Sequence, residues 1–298
     1  MDYRVRPEET GRKVRDILRR SMGVSYTAMK SAKWSGRIRL NGEPVFVDAC
    51  VTEGDVVSIA WAEERPVYVP RPFEAAFDIP WMDEYLMAVV KPAGMASQSG
   101  RNHPDDSLEN ALFARLGCPE DFVYRPVNRL DKGTGGLMLI ARTPHAQQLL
   151  QKQLHTAAFR RRYLAWTDGV PDRPEGVLDA PIARAPGATV RRMVSPDGKP
   201  SRTRYRVLRE QGDGALILLE LETGRTHQIR VHLSDTGCPV RGDFLYGKER
   251  PEEFPGCFAL HSAALEVAHP LTGETIRLTS LPRWAQDIGE NVLFMDFH

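Results

Sequence analysis

The residue best suited to chemistry is Asp131, which lies within the segment Arg125–Ala141. A carboxylate is anionic at neutral pH and can act as a nucleophile. Asp131 precedes a Gly-Thr-Gly-Gly turn, after which an apolar run predicts a buried strand. Glycines in such a turn let the backbone approach a ligand or another strand closely, although these do not match a phosphate-binding loop. Taken alone, such a segment is more often a capped turn than a site.

A second segment, Leu221–Leu233, concentrates polar side chains that could bind or catalyse. They are Arg225, Thr226, His227, Gln228, Arg230 and His232. The two histidines are five residues apart, so they fall on different faces of either a helix or a strand. No third ligand accompanies them, and a metal site is therefore not expected.

A third segment, Arg160–Trp166, passes from a basic run into aromatic side chains. Cations contact phosphates and an aromatic ring is a platform for a base, which favours nucleic acid; the alternative is a strand with charges at its edge.

The net charge is only +1, but residues 1–40 hold eleven Lys and Arg against four Asp and Glu. Residues 158–210 hold twelve against six. A phosphate backbone suits this asymmetry, and a solvated basic surface is the other interpretation.

Together these segments resemble the RluA-type pseudouridine synthases. The hallmark of that family, H-R-L-D-x-x-T-S-G, is matched by Asn128–Gly136, with Asn128 in place of the usual His and Gly135 in place of the usual Ser. The family segment T-G-R-T-H-Q-I-R-x-H is matched throughout at Thr223–His232. Shorter matches are Val90–Gly94, Tyr163 with the downstream Pro181-Ile182, and Leu260-His261. The resemblance covers about residues 75–298.

The resemblance implies that uridine in RNA is converted to its carbon-linked isomer. That reaction breaks the bond between ribose and uracil N1, reorients the base and rejoins it through C5, so no cofactor is implied. By resemblance, Asp131 is the nucleophile or proton acceptor acting at the ribose. Arg230 matches the arginine that pairs with it and favours its charged form. Tyr163 matches the tyrosine that stacks on the base and could take part in proton transfer.

Contacts with RNA are expected around this site and in the basic N-terminal segment. A stacked uridine cannot be reached, so base flipping is expected, with Arg129 as wedge or phosphate contact. In the family, the residue at the position of Asn128 lies near the flipped base. Asn cannot titrate as His does, so no protonation role is expected there. The other residues expected to contact RNA are Thr134, Arg225, His227, Lys30, Lys33 and Arg37.

The elements that must position these residues fall into two groups, and residues 1–62 form the first. Their pattern predicts a helix over 11–20, a second from a Ser25 cap to about Lys33, a strand over 37–40, an Asn41-Gly42 turn and a return strand over 45–47. This helix-helix-hairpin unit is similar to the small RNA-binding domain named after ribosomal protein S four. Residues 63–73 contain three prolines and are predicted to be an interdomain linker.

Residues 74–298 are predicted to be the catalytic domain. Strands are expected over 86–90, 163–166 and 215–221, with helices from a Ser107 cap through Leu116 and from a Thr143 cap through Leu154. Helices do not alternate regularly with strands, which disfavours a doubly wound parallel sheet. The expected fold class is α+β, with a mixed, mainly antiparallel sheet as the resemblance implies.

Bulk composition narrows the class of protein. The 298 residues are 42% hydrophobic and 27% charged, which is ordinary for a globular protein. No run of eighteen apolar residues occurs, and the charged N-terminus argues against a secretory signal, so a cytoplasmic location with no membrane partner is expected. The four cysteines form no C-x-x-C pair and are expected to be buried thiols. A monomer is the default expectation.

Two other functions stay open at this point. A catalytically silent RNA-binding or ribosome-assembly factor would explain the basic N-terminal unit equally well, but it would not require Asp131, Tyr163 and Arg230 together. A glycosidic hydrolase would require a second acid opposite Asp131; the matching motifs contain none, although the sequence does not exclude Asp243. Ribosomal RNA is favoured over transfer RNA as the partner, because large-subunit enzymes of the family often carry an attached RNA-binding domain.

Overall fold

The chain divides into two compact units, Met1–Val67 and Tyr68–His298. We describe a computed structural model over residues 1–34, 37–60, 66, 68–154 and 156–297. Of the predicted linker, residues 63–65 and 67 lie outside the described residues. Part of the remainder belongs to the larger unit, because Phe73 N donates to Asn110 O and Asn110 Nδ2 donates to Arg71 O.

The N-terminal unit is a helical pair packed on a small antiparallel sheet. Its strands are β1 (Asp2–Arg4), β2 (Ile38–Leu40), β3 (Glu43–Pro44) and β4 (Val56–Ile59), in the order β1-β4-β2-β3. Helix α1 (Val14–Asp16) continues as a π-helical stretch, Ile17–Ser21, and buries Val14, Ile17 and Leu18. Helix α2 (Tyr26–Trp34) follows the predicted cap, because Ser25 Oγ accepts from Ala28 N at 3.1 Å.

The hairpin of this unit turns at Asn41-Gly42, as predicted. Both residues have positive φ, 51° and 87°, which is the backbone of a tight two-residue turn. The return strand predicted over 45–47 is wrong in position: β3 precedes it and ends at Pro44, which has no N–H to donate, and Val47 packs into the core of the unit.

The larger unit is built on one sheet. The strands of this sheet are β5 (Asp78–Met82), β6 (Leu86–Lys91), β7 (Gly135–Ala141), β8 (Phe159–Asp168), β9 (Glu175–Asp179), β12 (Arg202–Gln211), β13 (Gly214–Leu221), β14 (Leu260–Ala268) and β15 (Thr275–Thr279). Two further strands, β10 (Ile182–Arg184) and β11 (Arg192–Val194), form a separate hairpin. The sheet order is β5-β6-β7-β14-β8-β13-β12-β9, and β15 pairs with β14. Among the described strands, only β7 and β14 pair in parallel. The predicted α+β class with a mainly antiparallel sheet is confirmed.

Three α-helices in the described part of the larger unit pack on this sheet. They are α3 (Leu108–Arg115), α4 (Pro144–Gln153) and α5 (Gln228–Asp235). Ser107 and Thr143 cap α3 and α4 as predicted, and each helix ends one residue before the predicted end. Short 3-10 helices span Pro7–Glu9 in the smaller unit, and Arg283–Ala285 and Glu290–Phe294 in the larger one.

The sheet carries cores on its two faces, which explains the unbroken apolar run of β7. Met138 and Ile140 join the core under α3 and α5, while Leu137 and Leu139 join the core under α4 and β15. Tyr163 on β8 belongs to the first face. Because successive side chains of a strand point to opposite faces of the sheet, only every second residue of β7 and β8 can face α5.

Two of the bulk expectations can be compared with the structure. The expectation of buried thiols is wrong for most of the cysteines: Cys50 and Cys118 are exposed, Cys257 is half-buried, and Cys238 is buried. No helix in the described part of the chain combines the length and apolar character needed to cross a bilayer.

Candidate active site

Asp131 lies in the loop that leads into β7, and the glycines after it serve close packing against another part of the protein. Thr134 N donates to the Asp131 carbonyl at 3.0 Å and closes the turn. Gly136 has φ +106°, and a Cβ there would lie 2.3 Å from Ser262 O on the parallel strand β14. A Cβ on Gly133 would lie 2.4 Å from the Phe258 ring. Larger residues at these two positions would displace the loop that carries the carboxylate.

Arg230 on α5 joins Asp131 to a second carboxylate. Its Nη1 donates to Asp131 Oδ2 at 3.0 Å, while Nε and Nη2 donate to the two oxygens of Asp243 at 2.7 and 2.9 Å. The guanidinium lies over the Phe258 ring, 4.3 Å from its centroid. Burial alone would lower the pKa of Arg230, but the hydrogen bonds and charge of Asp243 raise it. The cation is thus permanent and rigidly held.

Asp243 is the support of this ion pair and does not face Asp131 as a second acid. Its side chain is 0% exposed, and Oδ1 also accepts from Leu245 N at 2.9 Å and Tyr246 N at 3.2 Å. Both oxygens are occupied on the far side of Arg230. A hydrolase with paired carboxylates needs an acid that can reach the substrate, so this geometry does not support that alternative.

His227 lies beside Asp131. It precedes α5 in a left-handed backbone conformation, with φ 59°. Its Nε2 is 3.9 Å from Asp131 Oδ2, and its Nδ1 is 2.8 Å from the Tyr246 hydroxyl, which accepts from Arg192 N at 2.8 Å. Burial lowers the pKa of His227, so the ring is neutral at neutral pH. A proton on Nε2 suits the carboxylate that faces it, with Nδ1 accepting from Tyr246.

Tyr163 and Asp131 line the same open cleft. Tyr163 is buried on β8, and desolvation raises the pKa of its hydroxyl, so the side chain is a neutral phenol at neutral pH. The cleft wall also includes Leu130, Leu221, Ile229 and Leu260. The wall thus combines apolar side chains with convergent polar and charged groups, which suits a planar ligand that carries hydrogen-bonding atoms.

Lys91 supports the loop that carries Asp131; the sequence analysis placed it in the matching segment Val90–Gly94 but gave it no role. Its side chain is buried, and Nζ donates to Pro92 O at 2.8 Å, Met95 O at 2.7 Å and Lys132 O at 3.2 Å. Burial lowers the pKa of Lys91 to about 7, although the negative charge of Asp131 acts in the opposite direction and raises it. The three acceptors tie the loop after β6 to the residue that follows Asp131. The signal in the sequence was a lysine that ends an apolar strand.

The residues expected to contact RNA have different environments. Arg129 is exposed, Arg225 is half-buried, and Asn128 and Thr134 are buried in walls of the clefts that contain Asp131. In the N-terminal unit, Lys30 and Lys33 are exposed on α2, and Arg37 is half-buried before β2.

The second histidine of the polar segment has a structural environment. His232 is buried, with Nδ1 3.0 Å from Thr203 Oγ1 and Nε2 3.0 Å from Ala180 O. No cluster of three or more His, Cys, Asp and Glu side chains within the described residues is arranged to hold a metal ion.

Comparisons with known proteins decide the family. The profile of the RNA pseudouridylate synthase family matches residues 85–235, which contain Asp131, Tyr163 and Arg230. A relative from Bacillus subtilis, described as an uncharacterized RNA pseudouridine synthase YjbO, is 36% identical over 260 residues, covering 86% of this chain and 90% of that one. The chain belongs to the RNA pseudouridylate synthase family. It is an RNA pseudouridine synthase, an isomerase, and the family expected from its motifs is confirmed.

Other relatives agree with membership in the pseudouridine synthase family. Ribosomal large subunit pseudouridine synthase D of Nitrosomonas europaea is 40% identical over 204 residues, covering 65% of this chain and 58% of that one. The solved structure of human RNA pseudouridylate synthase domain containing 1 has a TM-score of 0.60 at 24% identity, covering 72% of this chain and 87% of that one. The human structure shares the fold of this pseudouridine synthase.

Proposed function

We propose that this pseudouridine synthase isomerises specific uridines in ribosomal RNA. The name of the Nitrosomonas europaea relative, which refers to the large ribosomal subunit, supports the choice of ribosomal over transfer RNA. The observation that carries the chemistry is the pairing of Asp131 with Arg230 at 3.0 Å, in the wall of a cleft that also contains Tyr163. Asp131 remains 27% exposed, so a substrate can reach it.

In this proposal Asp131 is the nucleophile or proton acceptor at the ribose. The bond from C1′ to uracil N1 breaks, the base turns, a bond from C1′ to C5 forms, and the proton on C5 is lost while N1 gains one. Arg230 orients the Asp131 carboxylate, because the other donors of the guanidinium are held by Asp243. Apolar side chains of the cleft wall, such as Leu260, would limit the access of water to the detached base, which favours rejoining over hydrolysis.

We assign Tyr163 to the base. Its aromatic ring lies in the wall of the cleft, where it can stack on the uracil ring. Because burial raises the pKa of the Tyr163 hydroxyl, the phenol donates a hydrogen bond more readily than it accepts the proton from C5. If Tyr163 takes part in proton transfer, it therefore acts as a proton donor or relay and not as the base that removes the proton from C5.

The N-terminal unit is proposed to bind RNA. Its helical pair and hairpin agree with the domain type expected from its sequence pattern, and the exposed cations Lys30 and Lys33 lie on α2. Arg37 follows on the approach to β2. Phosphate contacts from such a unit would increase affinity without taking part in the chemistry.

The proposal is tested by tritium release from ribosomal RNA labelled at C5 of uridine. Wild-type protein is expected to release tritium, and site-resolved pseudouridine mapping of RNA from a deletion strain is expected to identify the missing sites. Asp131→Asn should slow release by at least about 10³-fold, with RNA affinity within a few-fold, because the amide keeps the shape and loses the charge. A wild-type protein that binds RNA but releases no tritium would support a catalytically silent factor, and free uracil would support a hydrolase.

A further inference from the structure

A second polar groove continues from Asp131 and contains a buried cation without a carboxylate partner. Its lining includes Asn128, Arg129, Gln147, Gln151, Arg161 and Thr226, together with Asp131 and Tyr163. Arg161 is only 5% exposed, its Nη2 donates to Leu154 O at 3.3 Å, and its Nε has no hydrogen-bond partner. No carboxylate within the described ranges pairs with it. Burial lowers the pKa of Arg161, as expected where no anion compensates.

The neighbours of Arg161 on β8 show that this arrangement is specific to one face of the strand. Arg160 and Arg162 both pair with Glu220, at 3.1 and 2.6 Å. Alternation along a strand directs Arg161 to the opposite face, which it shares with Tyr163. A buried charge without a partner is costly, so a charge kept on the groove face indicates that an anion compensates it at some stage.

Asn128 adds a second unused donor to the same groove. It is 6% exposed, and its Oδ1 accepts from Leu139 N at 2.9 Å, which fixes the orientation of the amide. Its Nδ2 is then buried with no partner. Unsatisfied buried donors are rare in native proteins and often mark a site where a ligand completes the hydrogen bonds.

We propose that Arg161 and Asn128 form a subsite for one phosphodiester of the RNA strand, a few nucleotides from the target uridine. The inference rests on the proposed function, which places the target uridine at Asp131. A guanidinium without a carboxylate partner complements the charge of a phosphate, and the strand that carries a flipped uridine must leave the cleft along a neighbouring surface. The groove is that surface, because it shares Asp131 and Tyr163 with the cleft.

The test replaces single phosphates of the substrate by neutral methylphosphonates. The probe is a synthetic RNA of roughly 20 nucleotides, centred on the uridine that mapping identifies, with one replacement at a time near that uridine. For wild-type protein, one position should weaken binding about 10-fold or more, the range of a lost charged hydrogen bond. In Arg161→Gln, binding to the unmodified RNA should be weaker by a similar factor, and replacement at that position should have no further effect. Arg160→Gln is the matched control and should keep the wild-type pattern.

The subsite would be overturned if each methylphosphonate weakened RNA binding by the same factor in Arg161→Gln as in wild type, because the two changes would then be additive. The melting temperature separates binding from folding: removal of an uncompensated buried charge should leave it unchanged or raise it, whereas a large drop would make Arg161 structural. Asn128→Asp is the second variant. It keeps the acceptor for Leu139 N, and it should weaken RNA binding about 10-fold and lose sensitivity at the same phosphate. Absence of any wild-type tritium release would instead overturn the proposed function.

Discussion

The two ends of the Arg230 guanidinium differ in what surrounds them. At the buried end, two donors meet both oxygens of Asp243, which is fully buried and also accepts from backbone N–H groups. At the open end, one donor meets one oxygen of Asp131, which is 27% exposed. Asp243 and Asp131 share one cation, yet only Asp131 keeps an oxygen that does not accept from Arg230 and is open to a substrate. The comparison shows that ion pairing alone does not mark a reactive group, whereas incomplete pairing at a cleft does.

The largest effect is expected for Arg230→Ala, which affects both ends at once. It leaves Asp243 buried without its partner, so the free energy of unfolding should fall by about 3–5 kcal/mol. Turnover should fall by about 10³-fold because Asp131 loses its orientation. Urea unfolding and single-turnover tritium release measure the two effects. Arg277→Ala is the control, since its ion pair with Glu266 is exposed and should contribute less than about 1 kcal/mol. A change confined to RNA affinity would make Arg230 a phosphate contact.

A smaller effect is expected from His227, which lies at the open end. Its pKa is lowered by burial, so the ring is neutral at pH 7 and gains a proton only below its ordinary value of 6.5. Protonation would pair the imidazolium with Asp131 Oδ2 and reduce the reactivity of the carboxylate, so turnover should fall as pH drops below 6.5.

Two variants test the role of His227, one through the pH dependence and one through the hydrogen bond to Tyr246. His227→Gln should lack this decrease in turnover below pH 6.5, which is the acid limb of the pH profile. Tyr246→Phe removes the hydrogen bond to His227 Nδ1, and it should slow turnover by about 3–10-fold at pH 7.5, the range of one hydrogen bond. An acid limb that is identical in wild type and His227→Gln would remove His227 from the account.

The smallest effect on chemistry is expected from deletion of residues 1–62. Both ends of Arg230 lie in the larger unit, so single-turnover rates at saturating RNA should stay within about 3-fold. Affinity should fall, and the slope of log affinity against log salt should decrease by about 0.7–0.9 for each lost phosphate contact. Full-length protein with Lys30→Gln and Lys33→Gln is the matched variant. A truncated protein that binds normally but does not react would show that this unit shapes the active site.

Local features of the sequence predicted local structure well. The Asn41-Gly42 turn and the caps at Ser25, Ser107 and Thr143 depend on the conformational preferences of a few adjacent residues. The family motifs supplied the candidate pair Asp131 and Arg230, which are 99 positions apart and could not be paired from spacing.

The supports of the site were not predictable in the same way. Asp243 was considered only as a second acid, because nothing in its sequence context shows that both oxygens are occupied by a guanidinium. The left-handed conformation of His227 and its contact with Tyr246 depend on tertiary packing. The same holds for Lys91, whose three carbonyl acceptors come from two loops. Burial and long-range contacts decide such roles, and they are absent from local patterns.

The central claim is that Asp131 reacts while Asp243 positions, and the paired variants Asp131→Asn and Asp243→Asn test it most directly. Each is measured by urea unfolding and by single-turnover tritium release at saturating RNA. We predict that Asp131→Asn keeps its unfolding free energy within about 1 kcal/mol and loses turnover, since its carboxylate is partly solvated. Asp243→Asn should lose about 3 kcal/mol or more of stability and retain measurable turnover wherever it is folded. Turnover near wild type in Asp131→Asn would contradict the account.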